Sequence, residues 1–314
     1  MSLESKFLWF FFGIACLLAL GSLVGYVLAR RAKSDSGKAT VENLNQRVNA
    51  WWGMVIVLFL SYLLGATATV LLFSFISLFA LREFITLAPT KRGDHNALFS
   101  AFFILIPLQY VLIGTHWYSM FTLLIPVYAF LMLPAIAVLS QDTESFLERT
   151  SKIQWGVMIC IYCISHVPAL LLLDLEGFQG QNALLLFYLV FVVQLSDVLQ
   201  YVFGKLFGKR KVAPLVSPSK TVEGLVGGGL SATLIGGCMY WMTPFTFIES
   251  LAMSFVIVVM GFLGGLVMSA IKRSLSAKDW GTMIKGHGGM LDRMDSICFA
   301  APIFFHLTRY FFSA

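Results

Sequence analysis

The feature that most constrains this chain is a series of apolar runs. They lie at about 7–29, 52–64, 66–87, 97–114, 118–139, 153–173, 183–203, 224–243, 247–270 and 296–312. Most approach the roughly 20 apolar residues that a helix needs to cross a bilayer. In lipid only helices and closed barrels satisfy their own backbone, and runs this continuous lack the alternation of barrel strands. The expectation is an all-α, polytopic helical membrane protein with about ten transmembrane helices. A mean hydropathy of +0.83 and 29 Phe agree with it. Only Gly65 and its small neighbours divide the second run from the third.

Charge orients the bundle. With the N-terminus outside, 20 of the 22 basic residues follow odd-numbered runs, and only Lys6 and Arg309 fall on the other side. The positive-inside rule makes the rich side cytoplasmic and predicts that both termini face away from it. The net charge of +6 is then topology signal and contact with anionic headgroups, not a nucleic-acid surface. The run at 7–29 reads as a retained helix rather than a cleaved signal. The chain divides into residues 1–50 (a first helix and a polar cytoplasmic linker), 51–182 (helices two to six) and 183–314 (helices seven to ten with two cytoplasmic loops). Cys160 and Cys163 form a CxxC inside an apolar run, where thiols act as small hydrophobes. The short linkers 88–96 and 140–152 carry mixed charges that need only solvation.

Two loops differ in kind. In 188–224, Asp197 lies inside an apolar helix and shares a face with Gln194, Gln200 and Tyr201 at helical spacing. An acid placed there costs about 2.5–3.5 kcal/mol on insertion scales, so it faces either a partner within the bundle or a wet site. Ser217 to Gly224, SPSKTVEG, sets Ser217, Lys220, Thr221 and Glu223 before a Gly-rich helix. Thr221 reads as a helix cap, and a helix start also seats phosphate. In 272–295, five basic and three acidic residues surround Gly286, Gly288 and Gly289. Asp292 and Asp295 complement a helix dipole, or, with Asp279 and the basic groups, they suit Mg²⁺ and phosphate. His287 is a hydrogen-bonding loop residue on one reading and a base on the other.

At these residues the chain resembles the phosphatidate cytidylyltransferases, also called CDP-diacylglycerol synthases. The resemblance rests on Ser269, Lys272-Arg273, Lys278-Asp279, His287-Gly288-Gly289 and Asp292-Arg293-Met294-Asp295, in that order and spacing. Ser217 to Gly224 and Ser196-Asp197 supply a second element. It covers about 190–314 strongly. Many members place Thr or Ser, a small residue and Ala where this chain has Val198-Leu199-Gln200, which leaves Asp197 and Tyr201 in place but alters the wall around them. The resemblance implies CTP and phosphatidic acid as substrates, Mg²⁺ as cofactor, and CDP-diacylglycerol and pyrophosphate as products. It implies metal ligation by Asp279 and Asp292 with Asp295 or Asp197. Phosphates would be neutralised by Lys220, Lys272, Arg273, Lys278 and Arg293. Ser217, Thr221, Glu223, His287, Gly288 and Gly289 would complete the substrate contacts. The expected setting is a bacterial inner membrane with the site on its cytoplasmic face, with a homodimer as one candidate state.

Three rivals remain. A transporter would carry its ionisable groups near the midplane, whereas here they crowd the cytoplasmic ends. The altered Val-Leu-Gln segment fits an inactive lipid-binding paralogue, or a cytidylyltransferase acting on another lipid phosphate.

Overall fold

The computed structural model describes residues 3–31, 35–284, 286 and 288–313. Their backbone forms ten helical rods. These are α1 (Leu3–Arg31), α2 (Asp35–Leu63), α3 (Ala66–Leu87), α4 (Arg92–Gly114), α5 (Tyr118–Val138), α6 (Phe146–Leu172), α7 (Asn182–Phe207), α8 (Val222–Cys238), α9 (Phe247–Ser274) and α10 (Leu291–Phe312). Each apolar run of the sequence falls on one rod. Seven of them, α1, α3 to α7 and α9, are long and apolar enough to cross a bilayer by themselves. The chain is a polytopic, helical, integral membrane protein. Gly65 does separate α2 from α3: its φ of 99° breaks the helix where a side chain would be strained.

Three expectations need correction. The polar stretch before residue 50 is helix from Asp35 onward, not an irregular linker. It packs along α1, where Gly21 meets Val48 and Gly25 admits the Asn45 side chain. The loop after α7 is not wholly irregular either. Lys211–Ala213 (β1) and Ser217–Thr221 (β2) pair as an antiparallel hairpin. Last, the linkers on either side of α4 and α5 hold more than solvated charge. Arg149 and Asp94 are both buried, joined at 3.1 Å, and Arg149 also reaches Asp142 at 2.8 Å. Two ends of sequence 55 residues apart meet there, so neither charge could find water.

The most extensive packing runs in sequence order through α7, α8, α9 and α10. Glycine lets α7 and α8 approach at backbone distance. A Cβ at Gly224 would fall 2.6 Å from the Gln200 carbonyl, and one at Gly228 would run into the Gln200 backbone. Buried Tyr188 of α7 hydrogen-bonds Ser254 of α9 at 2.6 Å. These four helices form the frame on which the charged groups are hung.

Candidate active site

The hairpin aims one lysine into the bundle. Thr221 caps α8, its hydroxyl accepting from the Gly224 N–H at 3.1 Å. Two residues on, the Glu223 carboxylate accepts from the N–H groups of Lys209 (2.9 Å) and Arg210 (3.1 Å) and from the Arg210 guanidinium (3.1 Å). The strand end and the helix start are thereby clamped together. Lys220, between them, turns inward to α9. Its ammonium lies 3.3 Å from the Phe262 carbonyl and 4.7 Å from the centre of the Phe262 ring. It occupies the space that a Cβ on Gly265 would fill, at 2.6 Å. Burial pulls the Lys220 pKa down, and the charges of Asp197 and Asp295 oppose that pull.

Asp197 on α7 and Asp295 on α10 are the acids nearest in influence. They act on each other and on Lys220, and the Ser296 hydroxyl and Arg293 also act on Asp197. Asp292 has a different situation. One of its oxygens takes the Lys272 ammonium at 2.7 Å, and the other takes the N–H groups of Trp280 and Gly289, each at 2.8 Å. Lys272 and Asp292 are both buried, so this pair ties the end of α9 to the start of α10 and folds the charged loop back over it. Gly288 (φ 80°) must be glycine twice over, because a Cβ there would also lie 2.6 Å from the Asp292 carboxylate.

A residue that sequence reasoning passed over completes the loop. Glu83 of α3 accepts the N–H groups of Met290 and Leu291, both at 2.8 Å, and so caps α10 from a distant helix. Gly281 and Gly289 pack against the same carboxylate, and Trp280 stacks on the neighbouring Phe84 at 5.3 Å. The signal available was an acid inside the third apolar run, next to Arg82.

These parts surround a cavity of ≈ 1090 Å³. Asp197, Lys220, Thr221, Lys278, Asp279, Gly288, Asp292, Arg293 and Asp295 all line it. Lys278 and Asp279 are exposed. Among the described residues the buried Arg293 Nε meets no partner, while Gln194 donates to the Arg293 carbonyl at 3.4 Å. Gln194, Tyr201, Ser269 and Gly286 line it too, whereas Ser217, Glu223, Lys272, Arg273 and Gly289 do not. Ser217 is buried in the hairpin and Glu223 clamps it. Lys272 holds Asp292, Gly289 donates its N–H to Asp292, and Arg273 donates to the carbonyls of Val216 (3.4 Å) and Ala277 (3.0 Å). His287 lies outside the described residues. Val198 and Gln200 of the altered segment line the cavity as well.

Among the described residues no three His, Cys, Asp or Glu side chains gather closely enough to cage a metal. Mg²⁺ is usually held by one or two carboxylates and substrate phosphates rather than by an all-protein cage. Asp292, with both oxygens engaged, has less to offer a metal than Asp197, Asp295 or exposed Asp279.

Known proteins resemble this chain over most of its length. The pattern of the Cytidylyltransferase family matches residues 45–311. The chain is 38% identical to the uncharacterized protein YnbB of Escherichia coli strain K12 over 298 residues, covering 94% of this chain and 95% of that one. It is 32% identical to a phosphatidate cytidylyltransferase of Staphylococcus saprophyticus over 254 residues, 80% of this chain and 94% of that one. A phosphatidate cytidylyltransferase of Staphylococcus haemolyticus is 30% identical over 253 residues, with the same coverage.

Proposed function

This chain belongs to the cytidylyltransferase family, and from that premise we propose that it makes CDP-diacylglycerol and pyrophosphate from CTP and phosphatidic acid. A phosphate oxygen of the lipid attacks the α-phosphorus of CTP. The bond from that phosphorus to the bridging oxygen breaks, and pyrophosphate leaves with the electron pair. The lipid phosphate is already a nucleophile, so no activated Ser or Cys is required. What the protein must supply is position and positive charge around the phosphoryl groups.

The observation that carries this reading is Lys220. It is a half-buried ammonium within electrostatic reach of Asp197 and Asp295, and it lines the same cavity as Arg293 and Lys278. In our reading Lys220 and Arg293 neutralise the phosphates at the reacting centre, and Lys278 meets the nucleotide at the exposed rim. Asp197 and Asp295 would hold Mg²⁺, with Asp279 within the same cavity, and the ion would supply Lewis-acid charge to the triphosphate. Asp292 and Lys272 set the loop that presents these groups. The excess of basic residues on one side supports a site on the cytoplasmic face, and in our reading the membrane is a bacterial inner membrane. The purified protein, given labelled CTP, phosphatidic acid and Mg²⁺, should yield a lipid-soluble labelled nucleotide. Absence of that product with every lipid phosphate supplied would overturn the proposal.

One observation favours a second reading. Val198 and Gln200 are cavity-lining, and the family resemblance implies smaller residues in that segment. A reshaped wall there suits cytidylyl transfer to a different lipid phosphate. Running the same assay with a panel of lipid phosphates separates the two, by which acceptor gives the highest kcat/KM.

A further inference from the structure

The family pattern begins at residue 45, so α1 and the first turns of α2 lie outside it. Yet α1 walls the cavity, together with the stretch of α2 that the pattern does cover. Phe10, Ile14 and Leu17 of α1 line it at one helical spacing, and Arg47, Trp51, Val55 and Leu58 of α2 line it at another. Across from them run Phe187, Phe191, Gln194 and Asp197 of α7.

The two longer stripes change character in the same direction. Along α7, Phe187 and Phe191 give way to Gln194, Asp197 and Tyr201. Along α2 read backwards, Leu58 and Val55 give way to Trp51 and then Arg47. From Phe187 to Tyr201 the slot extends roughly 20 Å at 1.5 Å per residue. One leaflet of the hydrocarbon core is about 15 Å deep. At the apolar end the ring of Phe187 is hemmed in by Phe10 at 5.7 Å, Phe11 at 5.0 Å and Tyr62 at 5.6 Å. A nucleotide finds no hydrogen-bond partner in such walls, whereas a hydrocarbon chain needs none.

At the polar end α2 touches the charged loop. A Cβ on Gly286 would lie 3.5 Å from the Arg47 nitrogen and 3.6 Å from its Cγ. The Arg47 side chain is exposed and lines the cavity, and among the described residues no carboxylate pairs with it. An unpaired guanidinium above an apolar slot, sharing one cavity with Lys220 and Arg293, complements a phosphate that carries a fatty chain.

We propose that the α1–α2 pair is the lipid-selecting wall of the site. Its slot takes an acyl chain of the lipid-phosphate substrate, and Arg47 pairs with that lipid's phosphate at the mouth. The occupant named here rests on the reading of the site as a lipid-phosphate cytidylyltransferase.

The test uses the full-length protein in phosphatidylcholine vesicles and phosphatidic acid bearing a photoactivatable diazirine on one acyl chain. Crosslinks should map to the α1 and α2 peptides around Leu17 and Val55, and excess ordinary phosphatidic acid should suppress them. Arg47→Gln should raise KM for phosphatidic acid at least about tenfold, the scale of one lost charge-assisted hydrogen bond, with KM for CTP unchanged. Arg47→Lys should recover part of that loss. Leu17→Trp, which narrows the slot, should shift kcat/KM toward short-chain phosphatidic acid. Equal labelling by a phosphatidylcholine probe, crosslinks confined to α3–α5, or an unchanged KM for phosphatidic acid in Arg47→Gln would overturn the inference. Competed crosslinks in a protein that makes no labelled lipid nucleotide would uphold the slot and remove the reaction. Robust turnover with crosslinks elsewhere would do the opposite.

Discussion

Two clusters of charge lie toward the same side of this bundle, and they are built on opposite plans. Around Arg149, every strong bond is spent within the protein: the guanidinium takes Asp94, Asp142 and the Glu144 carbonyl, and no member lines the main cavity. Around Lys220, the charges are close enough to feel one another but face an open volume of ≈ 1090 Å³. The first cluster is closed on itself and fixes where helices end. The second is held by backbone clamps behind it and has bonding capacity left for something that is not protein. A buried charge alone does not mark a site; a buried charge with unspent capacity does. Asp292 stands between the two plans, since it lines the cavity with both oxygens already engaged.

This contrast can be broken by substitution. The largest effects on turnover should come from Lys220→Met, Asp197→Asn and Asp295→Asn, each losing at least about a hundredfold in kcat, the scale for one preorganised electrostatic group. Membrane yield and thermal midpoint should stay near those of the parent. A variant that fails mainly by unfolding would move its residue into the closed class. Next comes Asp292→Asn, which should lose both activity and stability. It strands the buried Lys272 ammonium, and breaking a buried pair from one side costs about 3–5 kcal/mol. A thermal midpoint left unchanged would refute the structural half of that assignment. Glu83→Gln should follow, with a loss of about tenfold in kcat/KM as two charge-assisted hydrogen bonds to the α10 start weaken. Hydrogen exchange at Met290 and Leu291 should quicken in the same variant, and unaltered protection there would show that the cap lies elsewhere. Smallest in turnover is Arg149→Met. It should destabilise the fold by about 3–5 kcal/mol, while the protein that survives purification keeps its specific activity. A drop in kcat at intact stability would erase the distinction between the clusters.

How much of this was legible in the sequence depended on distance along the chain. The ten rods were legible because an apolar run declares a membrane helix residue by residue. The groups of 272–295 were legible because their partners are local: Lys272 and Asp292 are 20 residues apart and join the two ends of one loop. Glu83 was not, since its partners sit 207 and 208 residues away and a single acid in an apolar run looks like a tolerated charge. The Arg149 network was hidden for the same reason, each member being an ordinary linker charge until the helices meet. The polar half of α2 is a different failure. Val41, Leu44, Val48 and Trp51 do recur at helical spacing, but the charges between them drew the reading toward a linker. Thr221 was legible as a helix cap, and with Glu223 it holds the hairpin that delivers Lys220.

Gly265 carries a consequence of its own. It has no side-chain donor, acceptor or charge, and a catalogue of reactive groups would omit it. Yet the ammonium of Lys220 rests where its missing methyl would be, so the placing of that charge depends on a hole of one carbon atom. Such a vacancy is invisible to any search that scores side chains by what they can do. It should surface only when variants are read by what they displace: alanine there must push the flexible end of the Lys220 side chain aside, and kcat should fall, though by less than in Lys220→Met.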